Sequence, residues 1–187
     1  MSRSAEALVR PTEAERSAVL VGDEVVTPAD VVMDRAFTLA APPAQVWPWL
    51  VQLGKRRGGW YLPQWLDRLV PPRRRALRRV DPALLELAPG DVVPDWGGRR
   101  ASFTVASIEA PRHLLYTSVR GKTRLSWCLT VSALGDHGCR VHLRLRLAPV
   151  RHRQVAQWAG GAIDLLTVAA LAAGLRERVG GRPRGVD

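Results

Sequence analysis

The sequence predicts one α+β domain in which a curved antiparallel sheet lays its apolar face against a long C-terminal helix. Apolar and polar residues alternate with a period of two from residue 91 to residue 149, which is typical of antiparallel strands with one buried face. A mostly apolar stretch, 159–175, follows these strands and is long enough to cover them as a helix. A chain of 187 residues with 47% hydrophobic content suffices for one domain with a substantial core.

Before residue 91 the pattern predicts one strand and two short helices. Residues 31–40 alternate weakly and predict the first strand. Apolar residues at helical spacing predict a helix that ends at Gly54, and residues 62–70 predict a second, shorter one. Residues 71–91 are strongly basic and then apolar, which predicts a connector. The spacing of the first helix is carried by Val46, Trp49, Leu50 and Leu53.

Five alternating runs predict the remaining strands, and the last two of them form a hairpin about Asp136. The apolar face of this hairpin belongs to the core, and we expect its polar face to be in contact with water. On that face we expect the arginines to keep the sheet soluble and to protect its edge. The five runs are 91–96, 101–110, 113–120, 124–134 and 139–149. The polar face of the last run carries Arg140, His142, Arg144 and Arg146.

The hairpin register also decides the state of the two cysteines. It places Cys128 opposite Arg144 and Cys139 opposite Ala133, so the thiols lie too far apart along the ladder for a disulfide. Free thiols are typical of a reducing compartment. Because the N-terminus also lacks a secretory signal pattern, we predict a cytoplasmic protein.

Residues 151–178 predict the long helix, with Gly160 and Gly161 as an interruption. Asp164 breaks its apolar character, and a buried, unpaired carboxylate would cost several kcal/mol. We therefore expect Asp164 to be exposed or paired with an arginine, with a functional role as the alternative. The domain boundaries that we predict are an N-terminal arm over 1–30, a single domain over 31–180 and a disordered tail over 181–187.

The formal net charge is +11, and every basic residue except Lys55 and Lys122 is an arginine. This excess indicates an anionic partner such as an acidic small molecule, a phosphate-bearing carrier, nucleic acid or a membrane surface. An arginine bias beside many alanines is equally typical of a GC-rich genome. No nucleic-acid-binding motif accompanies the charge, and no apolar stretch is long enough to span a bilayer, so we predict neither nucleic acid binding nor stable membrane insertion.

Several chemistries have no motif in this chain. There is no P-loop, no GxGxxG after a strand, no GxSxG elbow and no HExxH, and the cysteines and histidines do not have metal-site spacing. We predict no cofactor and no metal.

Several segments resemble actinobacterial proteins of the SRPBCC superfamily, the START-like and polyketide-cyclase-like proteins. The most specific is APPAQVWPWLVQLGKRRGGWY, residues 41–61. The segments EAERSAVLVGDEVV, LAPGDVV, FTVASIEAPRHLLY and RLSWCLTV resemble the same group, so that the similarity spans residues 12–178. The chain departs from this group at LPQ, residues 62–64, and in the arginine-rich loop 71–79.

The resemblance implies a helix-grip fold, in which a seven-stranded antiparallel sheet wraps the C-terminal helix and leaves a deep cavity. Members bind lipids, sterols or polyketides, and some are cyclases or dehydratases without a shared catalytic residue. The hypothesis is therefore that this chain binds a hydrophobic, partly unsaturated, polyketide-like molecule as a cofactor-independent cyclase or dehydratase of secondary metabolism. A non-catalytic carrier or sensor of such a ligand is the alternative.

Aromatic residues near the expected cavity are the candidate ligand contacts, since their faces suit a flat ligand. Trp47 and Trp49 are expected to pack the first helix onto the sheet instead. For the others, packing stands beside ligand contact as an open alternative. The candidate ligand-binding residues are Trp60, Tyr61, Trp65, Trp96, Phe103 and Trp127.

The candidates for proton transfer are Tyr116, Asp95 and His113, because each lies in or at the end of a predicted strand, where burial shifts a pKa. A surface position is the alternative for each. Arg73, Arg74 and Arg75 are candidates to contact an anionic or carrier-linked substrate near the entrance. Their alternatives are a solvated surface and a contact with anionic membranes.

Overall fold

The computed structural model describes residues 2–98, 100–151, 154 and 160–180, and within them an α+β fold. Six strands form one antiparallel sheet in the order β1-β6-β5-β4-β3-β2. The strands are β1 Val31–Leu39, β2 Val92–Pro94, β3 Ser102–Glu109, β4 His113–Arg120, β5 Thr123–Leu134 and β6 Gly138–Ala148. The helices are α1 Ser2–Leu8, α2 Glu13–Ser17, α3 Pro43–Gln52, α4 Gln64–Asp67 and α5 Gly161–Val179.

The strand count corrects the seven strands that the resemblance implied. The described residues contain the first predicted strand and the five alternating runs, and no seventh strand. The connector between α4 and β2 holds two short 3-10 helices, Pro72–Arg74 and Pro82–Leu84. Each of these begins with a proline, which has no N–H for a strand ladder and favours such a turn.

Helix α5 lies against the apolar face of the sheet and completes the core. Leu171, Ala172 and Leu175 are fully buried, and they share one apolar cluster with Phe37 of β1 and Leu143 of β6. Burying a leucine or phenylalanine side chain stabilises a fold by about 1.5–3 kcal/mol. The sheet and α5 are therefore held together mainly by apolar packing, as the alternating pattern predicts.

The predicted long helix is found over Gly161–Val179, while residues 152, 153 and 155–159 of that prediction lie outside the described residues. None of the helices in the described ranges has the length and apolarity needed to cross a bilayer.

The predicted hairpin register is confirmed. Cys128 pairs with Arg144 and Cys139 with Ala133, and both thiols are free and buried. Burial raises the pKa of the Cys128 thiol to about 12 and that of Cys139 to about 11. Both cysteines are consequently protonated at neutral pH, so their thiols are poor nucleophiles.

The polar face of β6 is not solvated, which corrects the prediction made for it. His142 and Arg144 are only 5% and 3% exposed, because residues of the N-terminal arm lie over this face. Strand β6 also lies between β1 and β5, so it has no free edge to protect. The arm supplies backbone carbonyls and carboxylates that pair with the strand's cations, and this pairing lets the cations be buried.

Glu15 makes one of these pairs and provides a test of the arm. Its carboxylate accepts hydrogen bonds from Arg140 Nε at 2.7 Å and Nη2 at 2.9 Å, and together with Thr12 it completes a capping box on α2. Hydrogen bonds from Arg140 are the main cause that lowers the pKa of Glu15 from 4.5 to about 2.

A group whose pKa is lower in the folded state stabilises the fold above its unfolded pKa, and this stability is lost as the pH falls towards the folded pKa. We expect the wild-type protein to lose stability between about pH 5 and pH 2 more steeply than Glu15→Gln. Urea unfolding across that pH range measures the difference. Parallel pH dependence of the two proteins would contradict a stabilising role for the Glu15–Arg140 pair.

Candidate functional site

A cavity of about 220 Å³ lies beside the inner face of the sheet. The residues directly after α3, strands β2 to β6 and the first half of α5 all contribute to its wall. Among the lining residues with described positions, most side chains are apolar and five are aromatic. The lining residues are Leu53, Gly54, Trp60, Val93, Pro94, Asp95, Trp96, Phe103, Tyr116, Arg120, Leu125, Trp127, Leu145, Asp164 and Val168.

The aromatic side chains of the cavity form one continuous cluster around Trp127. Its ring stacks with Tyr116 at a centroid distance of 5.8 Å and with Trp60 at 6.2 Å, and it is tilted against Phe103 at 5.7 Å. Trp96 extends the cluster by an edge contact with Trp60 at 6.0 Å. Strand alternation places Trp127 and Tyr116 on the same sheet face, because the two residues are paired across β4 and β5.

The Tyr116 hydroxyl is the polar group most deeply placed in this cluster. The residue is 3% exposed, and within the described residues its hydroxyl has no hydrogen-bond partner. Burial raises the pKa of this hydroxyl to about 12. It therefore stays protonated at neutral pH and is available as a hydrogen-bond donor.

Asp95 and Arg120 form an ion pair on the cavity wall. The Arg120 guanidinium contacts the Asp95 carboxylate and also lies over the Phe103 ring, 5.2 Å from its centroid. The Lys55 amino group donates to the Asp95 backbone carbonyl at 2.8 Å. The Asp95 carboxylate is therefore paired with the Arg120 guanidinium. Such a pair is typical of residues that stabilise the position of the cavity wall.

Asp164 faces the cavity from α5 and is paired with an arginine, which is one of the two arrangements expected from the sequence. Its Oδ2 lies 2.9 Å from Arg35 Nε, and the side chain is 22% exposed. Burial raises the pKa of Asp164, although the Arg35 charge acts in the opposite direction. The position of Asp164 in the cavity lining was not predicted from the sequence. The available signal was that this is the acidic residue in an otherwise apolar helix segment.

Six of the nine candidate site residues lie together in the cavity lining: Trp60, Trp96, Phe103, Tyr116, Trp127 and Asp95. The other three lie elsewhere. The Nε2 of His113 is 2.9 Å from Ser107 Oγ, near the opposite end of β4. Tyr61 is fully buried with its hydroxyl donating to the Trp49 carbonyl at 2.9 Å.

Trp65 is 68% exposed and is not part of the cavity lining. The sequence pattern does not separate Trp65 from Trp60, because both follow the Gly-Gly turn. Trp60 differs by a hydrogen bond from its indole N–H to the Thr167 carbonyl at 3.0 Å, which holds the ring against α5. Trp47 and Trp49 are buried in the core, as expected for packing residues.

Arg73, Arg74 and Arg75 line a separate groove of about 630 Å³. This groove and the cavity share two wall residues, Trp60 and Trp96.

As for metals, the residues with described positions include no cluster of three histidine, cysteine or acidic side chains able to hold an ion.

Comparison with known proteins finds likeness in structure and none in sequence. No protein-family profile and no curated protein matches the chain. Solved structures resemble it at a low level of identity. CalU16 from Micromonospora echinospora has a TM-score of 0.51 and 17% identity, over 81% of this chain and 77% of that one.

Protein CV1439 from Chromobacterium violaceum has a TM-score of 0.50 and 12% identity, over 81% of this chain and 98% of its own. A Rhodobacter sphaeroides protein has a TM-score of 0.50 and 13% identity, over 83% and 95% of the two chains. At these levels of sequence identity, the structural likeness establishes the fold alone. The fold is α+β, with an antiparallel sheet and a long C-terminal helix, and it is consistent with the helix-grip type.

Proposed function

We propose that the chain binds a small, flat, partly unsaturated molecule in the aromatic cavity, with an oxygen of that molecule accepting a hydrogen bond from Tyr116. The observation that carries the proposal is the Tyr116 hydroxyl, which is buried among the cavity rings and lacks a partner in the described ranges. A buried polar group without a partner costs about 1–3 kcal/mol. A ligand oxygen would remove that cost, and the surrounding rings suit a flat π system.

The cavity volume limits the size of this ligand. An apolar cavity of about 150 Å³ accommodates benzene, whereas sites for drug-sized ligands measure about 300–1,000 Å³. The present cavity, at about 220 Å³, fits one ring or two small fused rings. A long polyketide chain would extend beyond it, so the proposed occupant is a ring-sized molecule or the ring-sized end of a larger one.

Membership of the SRPBCC superfamily is part of the same proposal. The segments that resemble this superfamily span most of the chain, and the α+β fold with its C-terminal helix is consistent with a helix-grip protein. Ligand binding in an internal cavity is what the superfamily resemblance implies. The cavity between the sheet and α5 supports this inference independently of any sequence match.

A second candidate function, a cyclase or dehydratase, is favoured by the position of Asp164. Tyr116 is a protonated donor for a ligand carbonyl, and Asp164 is a carboxyl group with a raised pKa in the same wall. In a dehydration, the Asp164 carboxylate would remove a proton from the carbon beside the carbonyl, and the same carboxyl group would then deliver that proton to the β-hydroxyl. The C–O bond breaks, a C=C bond forms and water leaves, so Asp164 ends in its starting state. A carrier would use Tyr116 in the same way without this proton transfer.

Replacing Tyr116 by phenylalanine tests the proposed binding mode. The probes are 1-indanone, a small bicyclic ketone, and indane, which has the same ring skeleton without the oxygen. We expect Tyr116→Phe to weaken 1-indanone binding about tenfold, as the loss of one hydrogen bond predicts, and to leave indane binding unchanged. Quenching of tryptophan fluorescence or isothermal titration calorimetry measures both affinities.

The stability of the free variant is the matched control. Because the hydroxyl has no partner in the described part of the chain, we expect the free energy of unfolding of Tyr116→Phe to equal or exceed that of the wild type. Failure of both probes to bind the wild-type protein would overturn the binding proposal. Equal losses for 1-indanone and indane would remove Tyr116 as the donor.

Native mass spectrometry of the protein purified from its own host separates the carrier from the enzyme. A stoichiometric bound molecule that the protein returns unchanged is expected of a carrier. Conversion of that molecule, slowed by Asp164→Asn in a correctly folded variant, is expected of a dehydratase.

A further inference from the structure

The groove lined by Arg73, Arg74 and Arg75 contains arginine side chains that are not paired with carboxylates of the described residues. Its cationic lining residues come from two segments, residues 55–57 and 73–75. Arg56, Arg73 and Arg74 are exposed, and within the described ranges no carboxylate lies within ion-pair distance of them. These three guanidinium groups remain available for an external anion.

The other groove cations are partly committed to backbone carbonyls. Arg75 donates to the Val70 and Arg68 carbonyls, and Lys55 to the Asp95 carbonyl. These acceptors are neutral, so they position the side chains without cancelling the charge. Among the described residues that line the groove, one is acidic: Asp67, which is buried and lies 3.7 Å from Arg78. The groove therefore keeps a strong positive potential.

Close backbone packing holds the two basic segments together. Leu77 donates its N–H to the Gly58 carbonyl at 2.8 Å, and a Cβ on Gly59 would lie only 2.8 Å from Ala76 Cα. Gly59 also has a φ of 83°, in the region that favours glycine. Only a residue without a side chain allows this approach, so the groove is preformed in the folded chain.

The groove opens beside the proposed ligand cavity. Trp60 and Trp96 line both spaces, and the groove, at about 630 Å³, is the larger of the two. A ligand that occupied both spaces would therefore cross between them at these two tryptophans. The groove would then contact a part of the ligand that is polar, extended and anionic.

The geometry points to a ligand with two parts, a ring and a phosphate-bearing tail. The cavity binds the ring, and the groove binds the tail through Arg56, Arg73 and Arg74. This inference rests on the proposed function, because the ring must first occupy the cavity. Guanidinium groups bind phosphate oxygens through paired N–H donors, and several such groups suit a tail with more than one negative charge. A phosphorylated pantetheine thioester and a phospholipid both supply this chemistry.

Two thioesters with the same ring test the tail site. Cinnamoyl coenzyme A carries phosphates on its tail, whereas the N-acetylcysteamine thioester of cinnamic acid has the same ring and carbonyl with a short neutral tail. We expect the coenzyme A thioester to bind about tenfold more tightly, and this advantage to shrink as salt is added, because exposed ion pairs are individually weak and screened.

The variant R56S/R73S/R74S should remove the advantage of the phosphorylated thioester and leave the affinity for the neutral thioester unchanged. A matched control is R100S/K122S/R124S, which also loses three exposed basic residues, away from the groove. It should keep the advantage. Thermal unfolding and circular dichroism check that both variants are folded.

The outcomes separate this inference from the proposed function. If neither thioester binds, the ring site itself fails. If both bind with equal affinity, the ring site stands and the tail site is overturned. Binding to phosphatidylglycerol vesicles that depends on the three arginines, without any preference for the phosphorylated thioester, would also overturn it and assign the groove to a membrane surface.

Discussion

Replacing Arg144 by methionine is expected to lower the free energy of unfolding by about 3–5 kcal/mol. Arg144 is 3% exposed. Its guanidinium contacts Asp34 Oδ1 and Asp23 Oδ2, each at 2.8 Å. It also donates to the backbone carbonyls of residues 15, 16 and 18 in the N-terminal arm, over 2.7–2.9 Å. Methionine fills a similar volume but leaves two carboxylates and three carbonyls without this donor.

Urea unfolding of Arg144→Met and of Arg146→Met provides the comparison. Arg146 lies on the same strand and face and is more exposed. Its contacts within the described part of the chain are a 3.2 Å hydrogen bond to the Val26 carbonyl and a 3.5 Å contact with Asp23. Its loss should therefore cost about 1 kcal/mol. In Arg144→Met we also expect trypsin to cleave faster after Arg16. If the two variants lose equal stability, Arg144 does not hold the arm on the sheet.

Arg144 also shows where prediction from sequence ends. Alternation along β6 predicts which side chains share a face, and the observed register confirms that part. The same alternation does not indicate whether a remote segment covers the polar face. Here the cover is more than a hundred residues away in sequence, and it uses backbone carbonyls, which every residue type supplies. An arginine that serves as a buried clamp therefore has the same pattern as a solvated one.

The cavity was partly predictable for a similar reason. Strand alternation predicts that Trp127 belongs to the inner face, and the pairing of β4 with β5 brings Tyr116 beside it. Residues in loops follow no regular spacing, so the sequence does not predict which way their side chains point. Tyr61 turns into the core, where its ring packs edge-on against Trp49 and beneath Arg178, while Trp65 turns to solvent. Those directions depend on tertiary contacts, which the local sequence does not specify.

Replacing Trp127 by alanine is expected to change both stability and ligand choice. The indole is in contact with three other rings of the cavity, so its removal should lower the free energy of unfolding by about 3 kcal/mol. It also opens the cavity by the volume of the indole ring. We expect the variant to bind the three-ring ketone 9-fluorenone in preference to 1-indanone, and the wild type to show the opposite preference.

The control for this change is Trp65→Ala, which removes an indole that is 68% exposed. Its effect on stability should stay within about 0.5 kcal/mol, and its ligand preference should match the wild type. Calorimetric titration of both ketones into all three proteins gives the comparison. If Trp127→Ala remains folded and its preference stays with the smaller ketone, then the ligand does not bind against Trp127, and the aromatic cluster serves packing alone.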